Sequence, residues 1–298
     1  MRHEMAGAAA IGVDIGGTHI RAARISSSGD VSAWEARPTP ATPLVIDCIV
    51  ELARALDEPS VSAIGIGIPG RVDARSGLVL SGGYVDLSTY PLAQAIGERT
   101  GRPAFLDNDG NAALTAEHAV GAARGADTVV MFTIGTGIGG AVIADGKLLR
   151  GRAAAGQMGH ITVDSGGRAC LCGRHGCVET TSSGTALRRH MAEAGFAGSS
   201  VETLLSRLTD GDAAACSVLA AWAAPMRIAI DTAVAIFDPD LVVLGGGLGA
   251  AMHQALAAFP AETPWYRCEV VPASLGDRAG VIGAGLTALN GVAEVKPT

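Results

Sequence analysis

The sequence predicts an α/β protein of two domains, and three observations lead there. The chain has 298 residues, enough to bury two hydrophobic cores. A strand, glycine turn, strand pattern occurs twice, as I-G-V-D-I-G-G-T-H-I-R-A-A-R-I at residues 11–25 and as D-T-V-V-M-F-T-I-G-T-G-I-G-G-A-V-I at residues 127–143. The segments between and after them alternate between short β-branched runs and helical spacing. A unit that returns about half a chain later reads as two similar domains. We set them at residues 1–118 and 119–284, with a helix at 285–298 returning to the first.

Taking the elements in order, residues 1–14 hold a short apolar run that Asp14 ends, which reads as a first strand and not as a signal peptide. Residues 31–38 continue as a strand. Residues 42–56 place Leu44, Val45, Cys48, Ile49, Leu52 and Leu56 at helical spacing. Residues 61–68 are nearly all β-branched or small, the mark of a buried strand, and end in a turn at Pro69-Gly70-Arg71. Residues 91–100 read as a short helix closed by Gly101. Residues 103–114 run from a strand into D-N-D-G-N and then a helix, and Asp107, Asp109 and Asn111 are each able to cap it. Residues 183–194 and 201–208 are amphipathic helices. Residues 212–237 form a long apolar helix, interrupted or kinked near Pro225. A buried strand at 241–244 precedes Gly245-Gly246-Gly247. A last strand at 267–272 and a closing helix at 279–289 follow.

Composition excludes several classes. Apolar residues make up 48% and charged residues 17%, so the chain folds. A net charge of −7 and the lack of any Lys/Arg cluster argue against nucleic acid. The longest uncharged run, 213–226, is too short for a bilayer and fits a buried helix, so we expect no membrane association. Six cysteines, three of them in one cluster, suit a reducing cytoplasm. Trp34, Trp222 and Trp265 read as core or interface packing. Cys48, Cys216 and Cys268 read as small buried hydrophobes, and His118, His190 and His253 as surface residues.

The chemistry-bearing segments come next. Residues 156–180 hold His160, Cys170, Cys172 and Cys177 among turn glycines. One imidazole and three thiolates complete a tetrahedral zinc set, and the third thiol favours metal over disulfide pairing. Glu179 follows the last thiol, where a metal-pinned loop would fix its carboxylate. At residues 14–18, glycines let backbone N–H groups approach phosphate, and the Asp14 carboxylate can hold a hydrated Mg²⁺ beside them. An ordinary Gly-Gly hairpin fits that turn taken alone. Its repetition at 135–137 points to a shared nucleotide, and no G-K-[ST] follows either turn, so neither is a Walker loop. His19 either touches phosphate or is solvated. Gly245, Gly246 and Gly247, after a strand and before a helix, suit the adenosine end of a nucleotide. The D-N-D-G-N segment lies at the C-terminal end of a strand, where α/β sheets bind ligands. A carboxylate there can take a proton from a sugar hydroxyl.

Together these segments resemble the ROK family of repressors, open reading frames and sugar kinases. D-I-G-G-T-H-I-R (14–21), G-I-P-G (67–70), D-N-D-G-N-A (107–112), G-T-G-I-G-G (135–140), G-Q-M-G-H (156–160), C-L-C-G-R-H-G-C-V-E (170–179) and G-G-G (245–247) fall in family order across nearly the whole chain. The resemblance implies an actin-like ATPase (RNase H-like) fold, two α/β domains with ATP and sugar in the cleft. It implies Asp109 as the catalytic base on the sugar's 6-hydroxyl. Gly70, Asn108, Asp109, Gln157, His160 and Glu179 become sugar-binding positions, with His160 also a zinc ligand beside Cys170, Cys172 and Cys177. Gly16, Gly17, Thr18, His19, Thr136, Gly137, Gly245, Gly246 and Gly247 match ATP-binding positions, and Asp14 the position near Mg²⁺, reached through water. It also implies a homodimer or homotetramer.

Two departures from the family pattern bear on the substrate. Gln157 stands where most family kinases carry Glu, which keeps an acceptor oxygen but removes the charge. Residues 82–91, G-G-Y-V-D-L-S-T-Y-P, lack the Asn-Leu…Trp usual before the next helix. The expected activity is therefore ATP-dependent phosphorylation of the primary hydroxyl of a glucose-like sugar. An amino sugar such as kanosamine, N-acetylglucosamine, N-acetylmannosamine and a cyclitol are the alternatives. The competing class is a non-catalytic sugar sensor. Family repressors carry a winged helix ahead of the first phosphate motif, and here that motif begins at Ile11.

Overall fold

The computed structural model describes residues 7–82, 85–261 and 263–295. Contacts divide these into two units. Unit 1 takes the described residues up to Arg124, then Arg150–Ala155, and those from Asp277 onward, and unit 2 takes Gly125–Leu149 and Gly156–Gly276.

Unit 1 begins with strands β1 (Ala9–Ile15), β2 (His19–Ser26) and β3 (Val31–Pro38), which pair antiparallel in sequence. Helix α1 (Val45–Leu56) follows a short 3-10 turn, Thr42–Leu44. The helix expected over 42–56 divides there because Pro43 lies in the first turn and suits the start of a helix, not its interior. Val45, Ile49, Leu52 and Leu56 are buried along one face of α1, which covers the sheet. Strand β4 (Val61–Ile68) pairs parallel with β1. The segment after it is not a simple turn. Gly70–Asp73 forms β5, paired antiparallel with β6 (Leu78–Gly82) as a separate two-stranded ribbon. Helix α2 (Leu92–Thr100) ends at Gly101, whose φ of 73° is the left-handed geometry of a helix stop. Strand β7 (Ala104–Asn108) pairs parallel with β4, and α3 (Asp109–Val120) starts on the next residue. The sheet order is β3-β2-β1-β4-β7.

Unit 2 repeats this plan. Strands β8 (Val129–Ile134), β9 (Ile138–Ala144) and β10 (Lys147–Leu148) pair antiparallel in sequence. The zinc-type segment and the short helix α4 (Glu179–Ser182) lead into α5 (Gly184–Glu193), α6 (Val201–Thr209) and α7 (Ala213–Phe237). Strand β11 (Leu241–Gly245) pairs parallel with β8, α8 (Gly249–Leu256) follows, and β12 (Glu269–Pro272) pairs parallel with β11. The order β10-β9-β8-β11-β12 matches that of unit 1 position for position. The same strand order and the same pairing directions in both halves are the physical content of the internal repeat seen in the sequence.

One expectation fails in α7, an interruption at Pro225, and another holds, its burial. The helix runs unbroken through Pro225. It is also long and apolar enough, by length and composition alone, to cross a membrane, which the uncharged run alone did not suggest. Val218, Leu219, Trp222, Met226 and Ile230 are instead buried in the core of unit 2, against Phe132 of β8 and Leu244 of β11, and Arg227 and Asp231 interrupt its apolar surface. Trp222 is the only tryptophan in that core: Trp34 is 38% exposed and Trp265 is 86% exposed. Cys216 is exposed and Cys48 and Cys268 are half-buried, so none is a fully buried hydrophobe. His118, His190 and His253 are half-buried and not surface residues. The ring nitrogens Nε2 of His190 and His253 pair with the carbonyls of Thr181 and Val270.

Helix α9 (Ala279–Val295) belongs to unit 1 and packs on β1, β4, β2 and α3. It sits backbone against backbone. Gly12 and Gly65 are register partners on β1 and β4. A Cβ on Gly12 would lie 1.8 Å from the Val281 carbonyl oxygen, and one on Gly65 would lie 1.8 Å from that of Ala284. Only glycine lets a helix lie so close to the pleat.

Candidate active site

In unit 1 the structure brings Gly70, Asn108 and Asp109 together. Asn108 is the N-cap of α3, and its Oδ1 accepts from the backbone N–H groups of Gly110 and Asn111. The cap is thus Asn108, not Asp107, Asp109 or Asn111, because only its extended backbone points the side chain back at the first turn. Its Nδ2 then donates to the Gly70 carbonyl at 2.8 Å and to Asp109 Oδ1 at 2.9 Å. Asp109 Oδ1 also accepts from the Gly110 N–H at 2.9 Å. Burial pushes the Asp109 carboxyl above its ordinary value, and these donors from Gly110 and Asn108 restrain the rise.

Asp14 lies near the end of β1, 3.8 Å from the Arg21 guanidinium, which also donates to Asp277 at 3.2 Å. Burial, and after it the charge of Asp109, push the Asp14 carboxyl up to about 7. Arg21 opposes that rise and Asp277 adds to it. Three carboxylates, Asp14, Asp109 and Asp277, in one electrostatic neighbourhood with Arg21 as the cation paired to two of them leave the site short of positive charge. That fits a divalent cation held beside Asp14. The turn from β1 to β2 carries Gly16, Gly17, Thr18 and His19. The Gly16 carbonyl accepts from Thr39 Oγ1 at 2.6 Å, and Gly17, Thr18 and His19 are exposed. His19 Nδ1 lies 3.3 Å from Thr18 Oγ1.

Sequence reasoning missed the support beneath Asp109. Asp107 is 2% exposed and accepts from Asn111 Nδ2 at 2.7 Å and from the Asn108 N–H at 2.8 Å through Oδ1. Its Oδ2 accepts from Arg150 Nε at 2.9 Å and Arg150 Nη2 at 2.7 Å. The closeness of Asp107 and Asn111 in sequence, across the strand-to-helix junction, is a legible signal for half of this. Nothing local links Asp107 to an arginine 43 residues away.

In unit 2, Nδ1 of His160 and the sulfurs of Cys170, Cys172 and Cys177 form a group whose ligand atoms all lie within 4.8 Å of one another. The set fits zinc in donor type, number and spacing. Bridges of Thr162 with Cys177 and of Ala169 with His175 fold the loop on itself. Arg174 donates to the His160 carbonyl. The Arg174 backbone N–H, ahead of its guanidinium, lowers the Cys172 thiol to about 7, while burial pushes Cys177 up to about 12. A cation held by the three sulfurs would draw all of them into thiolate form.

Glu179 opens α4, and its Oε2 accepts from the Ile138 N–H at 2.8 Å. This ties the end of the cysteine loop to β9, one residue past Gly137. The tip of the β8–β9 hairpin is held from its other side by α5. The Gly135 carbonyl accepts from the Gly184 N–H at 2.8 Å, and the Thr136 carbonyl from Thr185 Oγ1 at 2.9 Å. Thr136 itself is exposed. Gln157 precedes the short 3-10 turn Met158–His160 and His160 ends it, and both are half-buried. Gly245, Gly246 and Gly247 link β11 to α8. A Cβ on Gly246, whose φ is 76°, would meet the Ile134 carbonyl oxygen at 2.5 Å, so this chain reversal presses on β8. Of the segment 82–91, Gly83 and Tyr84 lie outside the described residues.

The chain resembles proteins of known activity over nearly all its length. It is 33% identical over 301 residues to a glucokinase of Thermotoga maritima, covering 92% of this chain and 95% of that one. It is 34% identical over 294 residues to an N-acetylmannosamine kinase of Salmonella typhi, covering 93% and 97%. A solved ROK family glucokinase from Streptomyces griseus, in complex with glucose and AMPPNP, superposes with a TM-score of 0.79 at 31% identity and covers 95% of this chain and 99% of that one. The fold is accordingly the actin-like ATPase fold that the motifs predict. The ROK family model matches residues 10–290, and the chain belongs to the ROK family.

Proposed function

We propose that the protein transfers the γ-phosphoryl group of ATP to the primary 6-hydroxyl of a glucose-like sugar, with Asp109 accepting the hydroxyl proton. The class, an ATP-dependent sugar kinase, stands on family membership and the kinases it resembles. The observation that carries the rest is the Asn108–Asp109 pair. One oxygen of the carboxylate is held by Asn108 and Gly110, and burial raises its proton affinity toward the range useful for a base. As the sugar oxygen bonds to the γ-phosphorus, the bond to the bridging oxygen of ADP breaks and the hydroxyl proton passes to Asp109. Positioning and charge neutralisation supply a larger share of the rate than the proton transfer.

We assign phosphate contacts to Gly16, Gly17, Thr18, His19, Thr136 and Gly137, and the adenosine end to Gly245, Gly246 and Gly247. Sugar contacts fall to Gly70, Asn108, Asp109, Gln157, His160 and Glu179. Asp14 would hold Mg²⁺ through water, and the cation supplies charge neutralisation on the transferring phosphates. Zinc on His160, Cys170, Cys172 and Cys177 would fix the loop that ends in Glu179. His160 faces Cys170 through Nδ1, which leaves Nε2 to address a ligand.

Gln157 in place of the family's Glu, and the altered segment 82–91, favour an amino sugar such as kanosamine, an N-acetylated hexosamine or a cyclitol over glucose itself. A homodimer or homotetramer in the cytoplasm is our reading of assembly and location; all six cysteines are unpaired, which suits a reducing compartment. The test is ADP release by the purified protein with ATP and Mg²⁺ against a panel of hexoses, hexosamines and cyclitols, with the phosphorylated carbon located by NMR. Sugar-dependent ADP release with phosphate on the primary carbon is expected. Glucose efficiency far above every amino sugar and cyclitol would remove the case for an altered pocket, and no turnover with any sugar would favour a sensor.

A further inference from the structure

We propose that Arg150 is a positioning residue that acts through Asp107 to set the Asn108–Asp109 junction. The inference rests on the reading of Asp109 given above. It begins from a chain excursion: residues Arg150–Ala155 belong to unit 1, while the residues on either side belong to unit 2. This six-residue strap is held to unit 1 at two points. Arg150 places two donors, Nε and Nη2, on Asp107 Oδ2 at 2.9 and 2.7 Å. Farther along, the Ala153 carbonyl accepts from Arg71 Nε at 3.3 Å. Ala153 has a φ of 61°, a left-handed conformation that alanine rarely adopts and that surrounding contacts must hold in place.

Asp107 passes this restraint to the site. Its other oxygen takes the Asn108 N–H and the Asn111 side chain, the two residues that frame the first turn of α3. Asn108 in turn holds Asp109 and the Gly70 carbonyl. Gly70 and Arg71 are neighbours on β5, so both ends of the network close on the same ribbon. Asp107 is 2% exposed whereas Arg150 is 40% exposed. The carboxylate is therefore the group that depends on its partner. A buried carboxylate stripped of its cation must find another donor or leave, and the donors within its reach are those that hold the cap. Among the described residues the Arg150 side chain bonds to Asp107 and makes no hydrogen bond or ion pair with Asp109 or a position we assign to ligand, so its effect reaches the base through geometry.

The experiment compares R150M, R150K, D107N and R150M/D107N with the wild type. Turnover is measured on the best sugar of the panel with saturating ATP and Mg²⁺, and amide hydrogen exchange is read at Gly110 and Asn111. R150M should lower kcat on the order of 10²-fold, the usual consequence of misplacing a catalytic group by about 1 Å, with KM for ATP within about threefold. It should also speed exchange of the two amides, above all that of Asn111, because both donate to Asn108 Oδ1 and Gly110 shares its N–H with Asp109 Oδ1. R150K should recover part of the loss, and R150M/D107N should lose less than the product of the single effects, because the amide no longer needs a cation. Unchanged exchange at Gly110 and Asn111 in R150M overturns the proposal whatever the activity. So does a fall in melting temperature with kcat per folded molecule intact. If D109N keeps turnover the base assignment fails, and the exchange readout still decides the role of Arg150.

Discussion

Replacing Asp14 with Asn should flatten the pH dependence of the stability of unit 1. Burial and the charge of Asp109, partly offset by Arg21, move the Asp14 carboxyl from 3.8 to about 7 on folding. Each unit is worth about 1.4 kcal/mol, so the shift corresponds to on the order of 4 kcal/mol. The side chain is 18% exposed, and solvent screening reduces this only modestly. The sign follows from proton counting. Between about pH 4 and 7 the folded protein holds a proton that the unfolded chain has released, so stability falls as pH rises through this window and is level above it. D14N removes Asp14's share of the slope, leaving that of Asp109, and should be the more stable form at about pH 8, by a margin on the order of 10 °C in the melting of the unit that carries it. Mg²⁺ with nucleotide should compensate the wild type, raising its melting temperature more at about pH 8 than at about pH 5 and raising that of D14N little. Thermal melts of both proteins over about pH 4 to 8.5, with and without Mg²⁺, provide the measurement. A wild-type-minus-variant difference that stays constant across that range would refute the reasoning.

Two further outcomes follow from the packing and the cysteine loop. Purified protein should contain about one zinc per chain by elemental analysis, and C177S or a strong chelator should remove it and abolish turnover; less than about half an equivalent in carefully handled wild type would count against the metal site. Gly65→Ala would drive a methyl to 1.8 Å from the Ala284 carbonyl oxygen, so α9 must lift from β4. A loss of about 3 kcal/mol or more in denaturant unfolding is expected, and a variant of wild-type stability would contradict the backbone-on-backbone packing.

The sequence was most legible where the needed chemistry is local. His160, Cys170, Cys172 and Cys177 lie within eighteen positions, and the structure gathers them into one cluster able to hold a metal. Gly101 stops α2 because a left-handed helix stop selects glycine over short range. The two glycine hairpins revealed the repeated sheets, since each marks an antiparallel turn that begins the same strand order. Legibility ended where tertiary contacts decide. Asn108, not its acidic neighbours, caps α3, because the choice depends on backbone geometry at the end of β7. The β5–β6 ribbon was hidden in what reads as a Pro-Gly turn. The exposure of Cys216 follows from which face of α7 meets the core, and no local pattern records that. The Arg150–Asp107 pair is invisible for the same reason: nothing near either residue names the other.

The most direct test of the whole account is the turnover of D109N. Asparagine keeps the size of the side chain and an oxygen for the Asn108 and Gly110 donors, so the helix start survives while the proton acceptor is lost. The account predicts a fall in kcat on the order of 10²–10⁴-fold with sugar affinity, measured by calorimetry, within about threefold of wild type. A D109N enzyme that turns over within about tenfold of the wild-type rate would show that Asp109 is not the base.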